Sequence, residues 1–150
     1  MNRRGLLSGV TLITATLAGC LGSPGNDSAR PTKVENSQFE TGVETNSRGI
    51  FGPKITVDQE AATVTVEGIS EYGSSSCGYL RLQHVDYDTE QAVLQVAIGS
   101  GSDEPSEEQG YCGDDVGADS YRVVVRFDEG VPKRVEAKQT FGRENTEEFD

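Results

Sequence analysis

The chain has one histidine, His84, and three cysteines, none of them in a C-x-x-C pair. A structural zinc takes four closely spaced nitrogen or sulfur ligands, and no such set is present. No G-x-S-x-G turn surrounds Ser74-Ser75-Ser76, and the glycine-rich phosphate loop and the dinucleotide fingerprint are missing. Carboxylates number 25, so finding two close together discriminates nothing. The reading is a protein that is not an enzyme and carries no cofactor and no metal. Bases are scarce, at 13, which argues against nucleic acid as a partner, since phosphate binding needs local lysine and arginine. No sustained 3.6-residue apolar period follows the first twenty residues, so helices are minor.

What is there begins with MNRRGLLSGVTLITATLAGC. Arg3 and Arg4 precede a diluted apolar stretch, Gly5 to Ala18, and small residues lead to Cys20. That is the layout of an export signal, and the adjacent arginines resemble the twin-arginine type. The apolar stretch is shorter than the roughly 20 residues that cross a bilayer. Leu17-Ala18-Gly19-Cys20 resembles a lipobox, whose cysteine is lipidated and opens the mature chain. The plainer alternative is a cleaved signal with a stray cysteine. Residues 1–19 are thus expected to be removed and Cys20 to carry lipid. Its partner is the membrane, on the extracellular face, and two acyl chains there would make a stable anchor.

Removing residues 1–19 takes away two bases and no acid, leaving 11 bases against 25 acids, a net of −14. Such acidity suits concentrated salt, where a screening length of about 3 Å makes self-repulsion tolerable. After Cys20 the stretch to Gly49 is rich in Gly, Ser, Asn, Thr and Pro and reads mostly as a tether, about 30 Å across as a coil. Val34 to Val43 is the one part with an edge-strand alternative. The folded domain is placed at residues 50–142, with an acidic tail at 143–150.

Within that domain apolar residues alternate: Ile55 and Val57, Val64 and Val66, Leu80 and Leu82, Leu94, Val96 and Ile98, then Tyr121, Val123, Val125 and Phe127. Short strands broken by Asp, Glu and Gly predict an all-β domain, a small antiparallel β-sandwich of immunoglobulin-like kind. Two hairpins have testable parity, because a one-residue slip turns every side chain over. A three-residue loop, Asp88-Thr89-Glu90, sets Leu80 opposite Ile98 and Leu82 opposite Val96, with His84 facing inward opposite Leu94. A second loop, Glu129-Gly130-Val131, sets Val125 opposite Val135 and Val123 opposite Ala137. It also sets Arg126 against Arg134 and Arg122 against Lys138. These facing cations form either a basic stripe for an anionic partner or a pair of repulsions relieved by salt or by the protein's own acids.

With Cys20 spent on lipid, Cys77 and Cys112 remain to form a disulfide in an oxidising compartment. The segment from Gly99 to Ser120 has no strand signal and holds Asp103, Glu104, Glu107, Glu108, Asp114, Asp115 and Asp119. It reads as a solvated acidic loop, with calcium binding as the alternative, although the spacing fits no EF-hand. Tyr72, Tyr79 and Tyr111 flank the cysteines, either covering the disulfide or forming an aromatic patch. With Asp114, Asp115 and Asp119 they are the candidate binding residues.

The stretch "VTVEGIS…SSSCGYLRL…VDYDTEQAVLQVAI…YCGDD…YRVVVRFDEGVPKRVEAK" resembles the small β-domains of haloarchaeal secreted lipoproteins. The resemblance spans most of residues 37–138 and rests on Cys77, Tyr87, Cys112, Phe127 and Gly130-Val131-Pro132. Some members carry a second cysteine pair near the first strand, which this chain lacks, so a single bridge is implied. The resemblance implies fold and habitat and no activity. The expectation is a lipid-anchored, non-catalytic binding or spacer module at the cell surface.

Overall fold

A computed structural model describes residues 29–46 and 52–150. The signal at 1–19, Cys20 and the first tether residues lie outside the described residues, as does Ile50. Eight strands follow in order: β1 Val34–Thr41, β2 Lys54–Asp58, β3 Thr63–Ser74, β4 Gly78–Asp88, β5 Val93–Ser102, β6 Val116–Phe127, β7 Arg134–Lys138 and β8 Glu144–Glu148. A single 3-10 turn, Thr140–Gly142, joins β7 to β8.

Two four-stranded sheets form, in the orders β1-β6-β3-β2 and β4-β5-β7-β8. They pack as a β-sandwich, as the alternation predicts. Neighbours are antiparallel except β5 and β7, which run parallel. The core is the alternating set itself: Val64, Val66, Tyr121, Val123, Val125 and Phe127 of one sheet against Leu80, Leu94, Val96, Ile98, Val135 and Ala137 of the other. Tyr87 meets Phe127 edge to face, with ring centroids 5.1 Å apart, and closes one end.

The β4–β5 register departs from expectation. The connection is the four residues Thr89 to Ala92, because Asp88 Oδ1 accepts the N–H groups of Glu90 and Gln91, each at 2.9 Å. Ala92 then takes φ 54° to re-enter the strand. Leu82 therefore faces Ile98, and Leu80 faces Ser100. A bulge between Leu82 and His84 shifts the parity, so Val85 and Tyr87 point inward and His84 lies exposed, opposite Ala97. The inward placement of His84 is corrected accordingly. The β2–β3 turn has the same build: Asp58 Oδ1 accepts from Ala61 N–H at 2.9 Å and Ala62 takes φ 50°.

The second expected hairpin does not form. After β6 the chain crosses to the other sheet, where β7 lies between β5 and β8. Val131 and Pro132 are buried in that crossing, so they could not occupy an exposed loop tip. Val125 instead faces Val64 and Ser37, and Val135 faces Leu94 and Glu147. The facing cations vanish with the hairpin. Arg122 sits opposite Glu40 and Glu67, Arg134 opposite Glu148, and Lys138 opposite Glu144. Arg126 faces Asn36 and Thr63. Neighbouring acids, rather than salt, balance three of the four.

Both expected flanks belong to the sandwich. β1 is the edge strand within the stretch read mostly as tether, and β8 occupies the expected acidic tail. The chain docks from Ala29: Tyr87 Oη donates to Pro31 O at 3.1 Å, and Asp128 accepts from Thr32 and Lys33 N–H at 3.0 and 3.2 Å. Gly130, at φ 58°, packs against the Ala29 carbonyl with no room for a Cβ.

Candidate functional site

The three tyrosines that flank the cysteines have separate surroundings. The Tyr72 ring lies over Gly117, its cross-strand partner on β6, and is half-buried against the core. The Tyr79 ring covers Gly101, its partner on β5, on the outer face of the other sheet. Each tyrosine fills the space its glycine partner leaves, a recurrent way of stabilising glycine in a sheet. Tyr111 stands apart, 76 % exposed.

The acidic loop is shorter than expected, because Gly99 to Ser102 belong to β5 and Val116 to Ser120 to β6. Cys77 and Cys112 are joined, with Cα atoms 5.7 Å apart, tying this loop to the β3–β4 turn. Asp115 accepts from the Ser75 hydroxyl, and its carbonyl accepts Ser75 N–H at 3.1 Å. Asp119 lies in β6 and accepts from Ser120 N–H at 2.8 Å. Asp114 is exposed. Among the described residues no three His, Cys, Asp or Glu side chains come together to hold a metal ion. The loop is thus arranged around the disulfide and the serine turn.

The site that emerges lies on the outer face of the β4-β5-β7-β8 sheet. Register places His84, Ala97, Lys138 and Glu144 in one row across all four strands. The next row holds Asp86, Gln95, Glu136 and Thr146, and Arg81 with Gly99 lies on the other side. Along β5 the outward positions 97, 99 and 101 are Ala, Gly and Gly, so the middle of the sheet face is a trough. Tyr79 fills it at Gly101 and the Gln83 side chain lies against Gly99, so the trough is open over Ala97.

Two adjoining stretches of this furrow, of ≈ 400 and ≈ 360 Å³, share Ala97 and Lys138. The first runs between His84 and Thr146 and includes Glu136 and Glu144. The second is lined by Arg81, Gln83, Ser100, Lys138, Thr140 and Phe141 and by no acidic side chain. Among the described residues Arg81 has no ion pair, and Lys138 meets Glu144 at 3.7 Å with both side chains mostly exposed. An exposed pair of that kind holds its partners weakly.

Phe141 is the unusual member. It is 68 % exposed and takes φ 60°, a left-handed conformation that disfavours a bulky side chain by about 1–2 kcal/mol. A buried network holds the turn in place. Tyr121 Oη donates to Gln139 Oε1 at 2.8 Å, Gln139 Nε2 donates to Ile69 O at 3.1 Å, and Thr140 Oγ1 meets Ser70 Oγ at 2.5 Å. Burial pushes the Tyr121 phenol well above its ordinary range, which keeps it a neutral donor. Gln139 N–H also donates to Arg143 O at 2.8 Å, so bonds on both sides hold Phe141 at the lip of the furrow.

None of Arg81, Gln83 or Phe141 stands out in the sequence, and Lys138 enters there only as half of a repulsive pair. The legible signal is Ala97-Ile98-Gly99-Ser100-Gly101, where small residues recur every second position on one face. No family model, curated protein or solved structure matches the chain.

Proposed function

We propose that this chain is a lipid-anchored, non-catalytic binding domain displayed on the extracellular face of a salt-adapted cell's membrane, and that it binds through the furrow. The carrying observation is Phe141, an exposed aromatic held in a strained conformation on the same furrow as Arg81 and Lys138. Strain that the surrounding structure over-determines marks functional positions. Arg81, which has no ion pair among the described residues, is also a departure in a chain of net charge −12.

The Cys77–Cys112 bridge supports an oxidising compartment, and the acidic composition supports concentrated salt. His84 is exposed in the row of Ala97, Lys138 and Glu144 and lines the adjoining stretch of the furrow.

A photo-crosslinking residue placed at Phe141, in the full chain expressed at its own cell surface, tests the reading. An adduct at 141, absent when the same group replaces exposed Thr56 on the opposite sheet, is expected. Equal labelling at both positions, or none at 141, overturns it. Mass measurement of the membrane fraction checks the anchor: a chain that starts at Cys20 with added diacylglyceryl mass is expected, and an intact residue 1 overturns it.

A further inference from the structure

We infer that the furrow takes an anionic carbohydrate, with the sugar acid seated between Arg81 and Lys138 and the adjacent pyranose face against Phe141. The inference rests on the binding role just proposed and names its ligand class.

Four features converge on that chemistry. Arg81 and Lys138 flank β5 from β4 and β7, two strand spacings across and two residues along, about 12 Å between backbones. A carboxylate between them meets a bidentate guanidinium on one side and an ammonium on the other. Gln83 lines the same stretch from the outer face, and its amide offers both a donor and an acceptor, which is what vicinal hydroxyls require. Phe141 presents an aromatic face, which sugars cover with their C–H side. The floor is shallow, with Ala97 at its centre and the Gln83 side chain lying along Gly99, so a flat ring can lie over Ala97 beside that amide.

The charge gradient sets the direction. Glu144 pairs with Lys138 at 3.7 Å in an exposed contact that an entering carboxylate displaces, and with Glu136 in the adjoining stretch it repels a second anion. Neutral sugars would extend over Gln95 and Thr146 there. Together the two stretches offer enough space for a ligand of a few sugar units. A nucleic acid is disfavoured because acids follow directly beyond the cation pair.

The test is calorimetric titration of the full chain with tetragalacturonate, its methyl ester, and sodium sulfate. Saturable binding of tetragalacturonate alone is expected. Arg81→Gln should weaken it at least about tenfold, the loss of one charge-assisted contact. Phe141→Asn, which suits the left-handed turn and keeps the domain folded, should weaken it about three- to tenfold. Equal binding of the ester, displacement by sulfate alone, or no saturation overturns the inference. So does a dimer that Phe141→Asn dissociates, since it would assign the face to a second copy. A crosslink from position 141 to a protein would leave the binding role standing and sink the carbohydrate, so the two failures are distinguishable.

Discussion

Tyr121 Oη donates to Gln139 Oε1 at 2.8 Å, and both side chains are buried between the sheets. This bond links the core of the β1-β6-β3-β2 sheet to the turn that presents Phe141. Tyr121→Phe keeps the ring and leaves the Gln139 oxygen buried without a donor, which costs about 1–3 kcal/mol. Thermal unfolding followed by circular dichroism should show a drop of several degrees. An unchanged midpoint would mean that Gln139 finds another donor.

Reducing the Cys77–Cys112 bridge opens a loop of sequence separation 35, and the chain-entropy model puts the loss at roughly 3–4 kcal/mol. Denaturant curves with and without reductant, and with Cys77→Ser/Cys112→Ser, should agree on that loss. Hydrogen exchange should quicken first at residues 103–115, because Asp103 N–H bonds to Cys77 O at 2.9 Å beside the bridge.

Asp128 gives the domain an acid limit. The Thr32 hydroxyl, together with backbone N–H groups of Thr32, Lys33 and Glu129, holds its carboxyl down at about 2, from 3.8. A depressed folded pKa stabilises above the unfolded value and is lost as pH falls through the folded one. Stability from this residue should therefore be whole above about pH 4 and decline toward pH 2. In Asp128→Asn the melting midpoint should be lower near neutrality and its slope across that window smaller.

Gly130→Ala should loosen the N-terminal arm. The position needs φ 58° and has the Ala29 carbonyl where a methyl would go. The Thr32 and Lys33 amides, protected by Asp128, should exchange faster than in the parent chain, and the melting midpoint should fall. Unchanged exchange at these two amides would show that the arm docks without Gly130.

Phe141→Asn separates stability from binding. Asparagine accepts the left-handed conformation, so relief of about 1 kcal/mol should raise the melting midpoint. A lower midpoint would mean that Phe141 contributes packing that outweighs its strain.

The core was legible because nearly every buried apolar residue of β3, β5 and β6 lies in an unbroken alternation. The β4 bulge was also written in the sequence, since apolar positions run Leu80, Leu82, then Val85, Tyr87, a change of parity that only an extra residue absorbs. The turn lengths were written as well: Asp58-x-Glu60-x-Ala62 and Asp88-x-Glu90-x-Ala92 share one spacing and one four-residue build. The β6–β7 crossing was misread because alternation is the same for a hairpin and for a parallel neighbour. The clue was Val131-Pro132, too apolar for a loop tip. β8, Glu-Asn-Thr-Glu-Glu, has no apolar residue, so only its pairing with β7 makes it a strand. The furrow was hidden because it depends on which strands are adjacent, a property of topology rather than of spacing.

The chain enters beside Gly130, at the Phe127 end of β6, and the disulfide caps the other end, some 40 Å away along the twelve residues of β3. Tension applied at Ala29 against the rest of the domain pulls β1 lengthwise along β6. The bonds between those strands share the load side by side instead of opening one after another. Single-molecule extension from residue 29 should show a high rupture force followed by sudden release.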